Sequence, residues 1–351
     1  MKTWQNIKNH PEILPRYFMR ERVIDAIRSF LKQETFHEVE TPLMVAKPGT
    51  EPYLEVFQTN LKTRNYPDKP AFLLTSPEYA MKKLLTAGLG NIFTICKSFR
   101  NDEGLSMFHN PEFTILEFYR ANADYTDVMQ DCENMLISIL HAVNPHKAKS
   151  GQTTLTYQGK EYDLAAPWER LSVAEAFQKF AGISADDMLS EERLPQLVRE
   201  KGYTIEAENT WEEAYNLIFL NEIEPRIGRH KPTIIYDYPA SQAALSLKKK
   251  DDPRFAERFE FYLAGMELGN AFSELTDADE QEERLTSEVK LRAELGKVQY
   301  GIDEDFIQAL REGMPRASGI AIGVDRLIMF FADAASIKET LFFPVEDVFE
   351  F

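Results

Sequence analysis

The residues best suited to chemistry lie between positions 99 and 114, where a polar loop separates two extended segments. The loop contains the strings FRNDEG and HNPEFT. The guanidinium of Arg100 can bind two oxygens of a phosphate or a carboxylate at once. His109 and the ring of Phe113 complete a set that suits a polyphosphate joined to a flat base. A charged surface hairpin would carry the same residues, so this segment alone leaves both interpretations open.

A second group of polar residues lies in the string EFYLAGMELGNAFSE at residues 260–274. Alternation along a strand puts Glu260, Asn270 and Glu274 on one face. Glu267 falls on the opposite face unless a bulge at a neighbouring glycine shifts the register. Carboxylates on a strand can hold Mg²⁺ against phosphates, because Mg²⁺ takes one or two carboxylates together with phosphate oxygens and water. Glu274 could instead pair with a substrate ammonium.

The third segment is GIAIGVDR at residues 319–326, and it predicts a strand that runs into a helix. Glycines in a strand permit a ligand to approach the backbone closely. Arg326 would then lie at the start of the helix. Core packing explains two such glycines equally well, so this segment gains meaning only beside the other two.

Hydrophobic spacing predicts the elements that position these segments. Residues 16–33 have the apolar spacing of an amphipathic helix, and its apolar face is formed by Phe18, Val23, Ile24, Ile27, Phe30 and Leu31. Extended segments are predicted at 72–75, 92–99, 113–119, 233–236, 258–272 and 319–324, and further helices at 125–143, 173–180, 211–223 and 325–334. Strands clustered around a helical middle, about residues 122–230, favour an antiparallel α+β architecture with a helical insertion.

The composition is that of a soluble globular protein, with 44% hydrophobic and 28% charged residues. We find no signal-peptide core and no apolar run long enough to cross a bilayer. Cys96 and Cys132 are too few for a disulfide framework or a zinc cluster. We therefore expect a cytoplasmic protein without membrane contact. The net charge of −17 opposes general nucleic-acid binding, and the lysines at 248–250 fit a solvated loop better than a binding patch.

Taken in order, the segments resemble the motifs of class II aminoacyl-tRNA synthetases. Motif 1 corresponds to the first helix and the string FHEVETP, motif 2 to residues 99–113, and motif 3 to residues 319–326. The strings TSPE, HNPEFT, ELGN and FSELTD are similar to those of the lysyl-tRNA synthetases. The likeness covers about residues 15–345. It implies a single catalytic domain over residues 1–351, use of ATP and Mg²⁺, and a homodimer built on the motif 1 helix.

The resemblance also implies a role for each matching residue. Arg100 and Arg326 would be the catalytic residues that stabilise phosphate charge, and Glu260 and Glu267 would hold Mg²⁺. The residues implied to bind ATP are Arg100, Asn101, Asp102, Glu103, His109, Asn110, Phe113, Glu267, Leu268, Gly323 and Arg326. Those implied to bind the amino acid are Ser76, Glu78, Tyr119, Asn270, Glu274 and Ala321. Among these, Glu78 would meet the backbone amino group and Glu274 the side-chain ammonium.

Three departures from the lysyl pattern narrow the expected function. The motif 1 helix begins near residue 16, which leaves no room for the OB-fold anticodon-binding domain, so we expect no stable tRNA binding. Ala321 stands where the lysyl family has the middle glycine of motif 3, and its methyl group would favour an isomer with a displaced amino group. The lysyl string FRNEG has its glutamate where this chain has Asp102, with Glu103 next to it. Either carboxylate could therefore fill the acidic role of motif 2.

The first two departures are features of the elongation factor P (R)-β-lysine ligases, and Ser76 fits this branch as well. The expected activity is ATP-dependent activation of (R)-β-lysine as its adenylate and its transfer to the ε-amino group of a lysine on elongation factor P. Two alternatives remain open. One is a lysyl-type enzyme that acylates tRNA or another acceptor, and the other is a non-catalytic binding paralog. The presence of Arg100, His109, Glu267 and Arg326 favours an enzyme.

Overall fold

The fold is built around a large mixed sheet, and the computed structural model describes residues 2–104, 106–205 and 211–349. The strands are β1 (His37–Glu38), β2 (Met44–Val45), β3 (Gln58–Thr63), β4 (Tyr66–Leu73), β5 (Ile92–Phe99), β6 (Glu112–Ala121), β7 (Thr154–Tyr157), β8 (Lys160–Asp163), β9 (Glu169–Ser172), β10 (Thr233–Pro239), β11 (Phe255–Leu263), β12 (Met266–Ser273) and β13 (Ala317–Gly323). The helices are α1 (Thr3–Asn9), α2 (Leu14–Gln33), α3 (Glu78–Thr86), α4 (Tyr125–Val143), α5 (Pro145–Ser150), α6 (Val173–Ala176), α7 (Ala185–Leu189), α8 (Arg193–Glu200), α9 (Trp211–Ile218), α10 (Ala278–Glu294), α11 (Glu304–Gly313), α12 (Val324–Phe331) and α13 (Val345–Val348).

Eight strands form the main sheet in the order β1-β5-β6-β13-β12-β11-β10-β9. All internal neighbours pair antiparallel. The two outermost pairs, β1 with β5 and β9 with β10, are parallel. Strands β2, β4 and β3 form a small separate sheet, and β7 and β8 form a hairpin. The predicted α+β architecture, an antiparallel sheet flanked by helices, is confirmed.

One face of the main sheet is covered by apolar helices. Side chains of α2, α4 and α12 join those of the central strands in a continuous hydrophobic core, as Ile27, Leu136 and Leu327 show. Alternation along the strands sends every second residue to this core. Phe118 and Ile320 lie there fully buried, so their neighbours in sequence face the opposite side. That opposite face carries the polar residues of the predicted site.

The middle of the chain differs in part from its predicted helical character. The predicted helix at 125–143 is confirmed as α4, which packs against α2 in the main core. The region 122–230 also contains β7, β8 and β9, and β9 extends the main sheet at its edge. Strands β7 and β8, on either side of Gly159, have only four residues each. Segments this short show no clear periodic pattern, so the hairpin was not predicted. Helices α6 to α9 form a second core cluster against β10 and β11.

The segment predicted as one extended strand at 258–272 is instead a hairpin. Ala264 and Gly265 both have positive φ values and form the turn between β11 and β12. The register then shifts, because Phe261 pairs with Gly269 whereas Tyr262 pairs with Glu267. This shift is the β-bulge that the sequence analysis gave as one of two possibilities. It places Glu267 on the face that Asn270 shares with Glu260, since paired residues of antiparallel strands point to the same side.

Gly269 is needed at the bulge because no side chain fits there. A Cβ atom at this position would lie 2.6 Å from Cε1 of Phe261 and 3.0 Å from Cγ1 of Ile322. We expect Gly269→Ala to lower the free energy of unfolding by about 1–3 kcal/mol, the usual cost of overpacking. Urea denaturation measures this. Gly104→Ala is the control, because among the described residues no atom outside its chain neighbours lies within 4 Å of its Cβ position. Equal stability of the two variants would contradict the role of Gly269.

Candidate active site

A cavity of about 270 Å³ opens on the polar face of the sheet, between β6, β12, β13 and the start of α12. We call it the arginine cavity, because Arg100 and Arg326 line it together. The other predicted residues that line it are Glu103, His109, Asn110, Phe113, Glu267, Leu268, Asn270, Ala321 and Gly323. The three sequence segments therefore meet in one place, as the sequence predicted.

Arg100 and Phe113 lie at the two ends of the motif 2 loop and contact each other. The guanidinium carbon of Arg100 lies 5.3 Å from the centre of the Phe113 ring. Its Nη1 lies 3.3 Å from Oε1 of Glu103, while its Nε is buried without a hydrogen-bond partner. A buried donor without a partner costs free energy. Arg100 is thus positioned to bind a further acceptor in the cavity.

The structure separates the two acidic residues that the sequence could not distinguish. Glu103 lines the arginine cavity and pairs with Arg100. Asp102 is exposed and has a φ of 58°, which turns the chain outward at this point. Asn101 is also exposed, and its side chain accepts the backbone N–H of Asp102. Neither lines the cavity, so Glu103 is the better candidate for the acidic role of motif 2.

His109 and Arg326 form a direct pair across the cavity. Nη2 of Arg326 lies 2.8 Å from Nε2 of His109, and Nη1 donates to the carbonyl oxygen of Glu267 at 2.8 Å. Burial, with Arg326 beside it, lowers the pKa of His109. The neutral imidazole therefore accepts at Nε2 and carries its proton on Nδ1, which lies 2.8 Å from Oγ of Ser106. These contacts use two of the five N–H groups of Arg326, so its guanidinium can donate others to anionic oxygens while His109 holds it in place.

Two of the predicted nucleotide-binding residues have structural contacts of their own. Asn110 donates from Nδ2 to the carbonyl oxygen of Glu112 at 2.6 Å, and its Oδ1 accepts the backbone N–H of Val345 at 3.0 Å. Its amide thus ties α13 to the motif 2 strand, and a contact to an adenine edge would compete with these bonds. Leu268 is buried and supplies apolar surface to the cavity. Their roles toward a nucleotide stay predictions.

Glu260 and Glu267 stand close together at the mouth of the cavity, but they differ in their contacts. Glu260 accepts hydrogen bonds from Tyr238, Tyr262 and Arg258. Burial first and then the charge of Glu260 raise the pKa of Glu267 to about 7. Two carboxylates that repel each other beside a phosphate-sized cavity form a donor set that fits Mg²⁺. Glu267 is the better direct ligand, because Glu260 is already engaged by three donors.

A second group of charged residues lies deeper in the same face, and we call it the acidic cluster. It contains Glu78, Glu117, Glu274 and Lys82. Lys82 is fully buried, and its Nζ lies 2.6 Å from Oε1 of Glu78 and 2.5 Å from Oε2 of Glu274. Burial opposes its charge, but the two carboxylates outweigh this and raise the pKa of Lys82. A lysine of the chain itself thus occupies part of the site predicted for a substrate ammonium.

Glu117 and Lys82 are residues that sequence reasoning missed. Glu117 is buried and accepts hydrogen bonds from Oγ of Ser76 at 2.5 Å and from Oη of Tyr119 at 3.1 Å. Burial, followed by repulsion from Glu78, raises its pKa to about 8. A lone glutamate in the otherwise apolar string TILEFY was the available signal, because charged residues are seldom buried without a purpose.

The arginine cavity and the acidic cluster meet along one row of the sheet. Asn270 pairs with Ala321, and Ala321 pairs with Glu117. In the next row a side chain at Gly319 would overlap the ring of Tyr119 and come within 2.8 Å of Oε1 of Glu274. The small residues of β13 therefore form a floor that joins the two sites. A methyl group at Ala321 is the one side chain on this floor between Asn270 and Glu117.

A third space, the vestibule, leads from the arginine cavity to the surface and has a volume of about 810 Å³. One wall comes from the helical middle region, with Phe219 and Leu220, and the opposite wall from α10. Its carboxylates are Glu51, Glu212, Glu224, Glu260, Glu267 and Glu288. Two guanidinium groups, those of Arg258 and Arg326, oppose them. The vestibule is therefore acidic.

Lys82 should hold the acidic cluster together in a pH-dependent way. In Lys82→Met, Glu78 and Glu274 lose their shared cation, and burial then raises the pKa of Glu274 further above its present value of about 8. A carboxyl with a raised folded-state pKa loses stability as the pH rises from its unfolded pKa to its folded pKa. Below pH 8 Glu274 is protonated in both folded proteins, so its contribution to the difference between them grows only above that pH. We expect a loss of about 3 kcal/mol at pH 7 and a clearly larger loss at pH 9.5, measured by urea denaturation.

Lys83→Met is the matched control, because Lys83 is partly exposed and pairs with Asp303 and Asp305. We expect it to cost less than about 1 kcal/mol, as exposed ion pairs do. If Lys82→Met lowers the free energy of unfolding equally at both pH values, the Lys82 side chain stabilises the protein by packing and not by its charge.

Comparison with known proteins agrees with this geometry. Residues 6–347 match the family described as tRNA synthetases class II (D, K and N). The lysine–tRNA ligase of Pelotomaculum thermopropionicum is 37% identical over 341 residues, which are 96% of this chain and 64% of that protein. The lysine–tRNA ligase of Magnetococcus marinus is 38% identical over 333 residues, with 95% and 64% covered. That of Carboxydothermus hydrogenoformans is 35% identical over 339 residues, with 96% and 66% covered.

The chain thus spans about 64–66% of the length of these curated relatives. In the part of the chain that the structure describes, no helix is long and apolar enough to cross a membrane. The sheet order, the meeting of the three motifs in one cavity and the match over residues 6–347 all agree. The chain belongs to the class II tRNA synthetase family.

Proposed function

We propose that this chain uses ATP and Mg²⁺ to form the adenylate of (R)-β-lysine and transfers the acyl group to the ε-amino group of a lysine on elongation factor P. The observation that carries the activation step is the floor of β13, which joins the arginine cavity to the buried acidic cluster. An amino acid with a second amino group has charges that match both ends. Its carboxylate would face Arg100, and its ammonium groups would face the carboxylates.

The charge of the acidic cluster supports a substrate with two ammonium groups. Among the described residues, the cluster contains three carboxylates and one lysine ammonium, which pairs with two of them, so two negative charges remain without a cation. The pKa of Glu117 and that of Glu274 are each raised to about 8, because burial opposes their charges. Protons therefore fill the place of the missing cations at neutral pH. A diamino acid supplies both positive charges, and binding would release those protons.

In the activation step the amino acid carboxylate attacks the α-phosphorus of ATP, and pyrophosphate leaves. Arg100 would stabilise the charge that develops between the carboxylate and the α-phosphate. The His109–Arg326 pair would hold the outer phosphates, while Phe113 would stack on the base. Mg²⁺ held by Glu267 with Glu260 would neutralise phosphate charge. Positioning and charge stabilisation suffice for this reaction, so the site needs no covalent nucleophile.

Ala321 and Ser76 support the β-isomer of lysine. The methyl group of Ala321 stands on the floor between Asn270 and Glu117, where the backbone of an α-amino acid would cross from one site to the other. Ser76 donates to Glu117 and also accepts the backbone N–H of Glu78. It therefore ties the Glu117 carboxylate to the start of α3, the helix that carries Glu78. A substrate whose amino group is one carbon farther along fits this changed floor.

The negative charge of the vestibule supports a protein acceptor. An entering tRNA end would bring phosphates past six carboxylates and only two guanidinium groups. Binding of nucleic acids depends on neutralising phosphates with cations. The ammonium of a lysine side chain is attracted by the same surface. The apolar residues Leu220 and Tyr53, both exposed, add surface for the methylene stem of such a side chain.

The alternative acceptor is tRNA, and the printed function of the relatives, lysine–tRNA ligase, favours it. The two acceptors share the activation step and differ only in the second step. Transfer of radiolabelled lysine isomers to purified elongation factor P or to lysine tRNA separates them. A non-catalytic paralog would give no pyrophosphate exchange with either isomer.

We expect ATP–pyrophosphate exchange to be at least about tenfold more efficient with (R)-β-lysine than with α-lysine, which corresponds to about 1.4 kcal/mol of discrimination. Ala321→Gly removes the methyl group and should raise kcat/KM for α-lysine by a similar factor. Ala317→Gly is the control, because Ala317 lies on the same strand at the far end of the floor. If Ala321→Gly leaves the preference between the two lysine isomers unchanged, the methyl group of Ala321 does not determine that preference.

The homodimer expected from the motif 1 helix also stays a prediction, and exposed apolar residues support it. Phe18 belongs to the predicted apolar face of α2, yet 51% of its surface is exposed. Leu43 and Met44, just after motif 1, are exposed as well. We expect light scattering to give a dimer at micromolar concentration and Phe18→Glu to shift it toward the monomer. Leu295→Glu, at an exposed leucine on another surface, is the control. A monomeric wild-type protein would contradict the interface.

A further inference from the structure

The carboxylate of Glu51 stands at the border between two cavities and has no assigned task. Among the described residues it makes no ion pair, and its Oε2 is buried without a hydrogen-bond partner. The carboxylate lies flat against the backbone of Gly49, where a Cβ atom would overlap Oε2 and come within 2.9 Å of Oε1. A buried carboxylate oxygen without a hydrogen-bond partner costs free energy, so the buried Oε2 calls for a cationic or proton-donating ligand.

The loop that carries Glu51 is held rigidly by its neighbours. Oη of Tyr300 donates to the carbonyl oxygen of Gly49 at 2.6 Å. Oγ1 of Thr50 donates to Glu288. Nη1 of Arg292 donates to the carbonyl oxygen of Glu51 itself at 2.7 Å. Three consecutive residues are thus fixed, and the position of the carboxylate is built into the fold.

Glu51 faces both the vestibule and the amino acid side of the site. On one side it lines the vestibule together with His109, Glu267 and Arg326. On the other side it lines a cavity of about 560 Å³ together with Ser76 and Glu78. An acceptor amine that enters through the vestibule and attacks an acyl group held beside Glu78 would pass this carboxylate.

The acceptor amine has a proton to lose before it can attack. A free lysine side chain has a pKa of about 10.4, so it is almost wholly an ammonium at neutral pH and has no electron pair to offer. The residues that stabilise phosphate charge cannot take this proton, because Arg100 and Arg326 are cations. Glu78 and Glu274 are engaged by Lys82, and Glu288 is engaged by Thr50.

We propose that Glu51 accepts the proton of the acceptor ammonium in the transfer step. This rests on the proposed function, because it deepens the second half of that reaction. The ammonium gives one proton to the Glu51 carboxylate, and the freed electron pair forms the C–N bond at the acyl carbon. The C–O bond to the phosphate then breaks and AMP leaves with the electron pair of that bond. One of the two protons left on nitrogen passes to water, and the other stays as the amide N–H.

The surroundings adjust Glu51 to this task. Burial first, and then the charge of Glu78, raise the pKa of Glu51, while Arg100 and Arg292 oppose the rise. A carboxylate with a raised pKa is a better proton acceptor, as long as it is ionised when the amine arrives. The titratable and charged groups that face it from the surrounding elements are Glu78, Tyr79, Arg100, Glu288, Arg292 and Tyr300.

The test compares two nucleophiles on the full-length protein. The enzyme is first loaded with its adenylate and then mixed with n-butylamine, which imitates a lysine side chain, or with hydroxylamine, which is already neutral at pH 7. For Glu51→Gln we expect pyrophosphate exchange within about twofold of wild type, transfer to butylamine lowered about 100-fold, and capture by hydroxylamine unchanged. The residual transfer to butylamine should rise about tenfold per pH unit with the fraction of free amine.

Glu55→Gln is the control, because Glu55 lies on the same loop but points toward Lys297. It should leave all three rates unchanged. An equal loss of exchange and of both transfers in Glu51→Gln would show that Glu51 binds the amino acid, and unchanged transfer to butylamine would show that it takes no part. Either result overturns the proposal. Failure of the proposed acceptor is seen separately, as transfer to butylamine without transfer to elongation factor P.

Discussion

The rest of the site depends on one electrostatic constraint, the burial of three carboxylates around a single ammonium. Glu78 and Lys82 are one helical turn apart on α3, so the pair forms wherever that helix forms. Glu274 reaches the same ammonium from the end of β12. Breaking a buried ion pair by removing one partner is far costlier than lacking the pair altogether. The cluster therefore fixes α3 against the sheet and at the same time leaves negative charge that only a cationic ligand or a proton can balance.

The opposite charge lies only a few strands away on the same face, and the β-bulge makes this possible. Without the register shift at Gly269, Glu267 would point into the hydrophobic core beside Phe261. With it, the carboxylate of Glu267, the guanidinium groups of Arg100 and Arg326 and the acidic cluster all face one floor. A zwitterionic ligand then has a single favourable orientation, because each of its ends is repelled by the other site. Orientation of this kind is a large part of what an enzyme contributes to a reaction between two bound molecules.

Much of this could be predicted from the sequence, because long periodic segments and strong motifs carry local information. Strand β5 and helix α4 begin and end where the pattern placed them, at residues 92–99 and 125–143. The sequence did not divide this segment into β11 and β12, because either of its two glycines could form a turn or a bulge. In the structure Gly265 lies in the turn and Gly269 lies at the bulge. Glu117 and Lys82 were missed for a different reason. Glu117 is a lone charge in an apolar segment, whereas Lys82 is one of two adjacent lysines on a helix. Only the tertiary structure shows that both side chains are buried.

The vestibule and Glu51 together answer a problem that the activation site leaves open. A site designed to stabilise phosphate charge is rich in cations, and cations make an ammonium harder to deprotonate. In the proposed transfer step a carboxylate at the border of that site would serve both needs, since the acidic vestibule would attract the ammonium and the last carboxylate on its path would take the proton. The helical middle region supplies one wall of this path, through Phe219, Leu220 and Glu224. In the proposed function the helical middle region would therefore select the acceptor, while the sheet would select the amino acid.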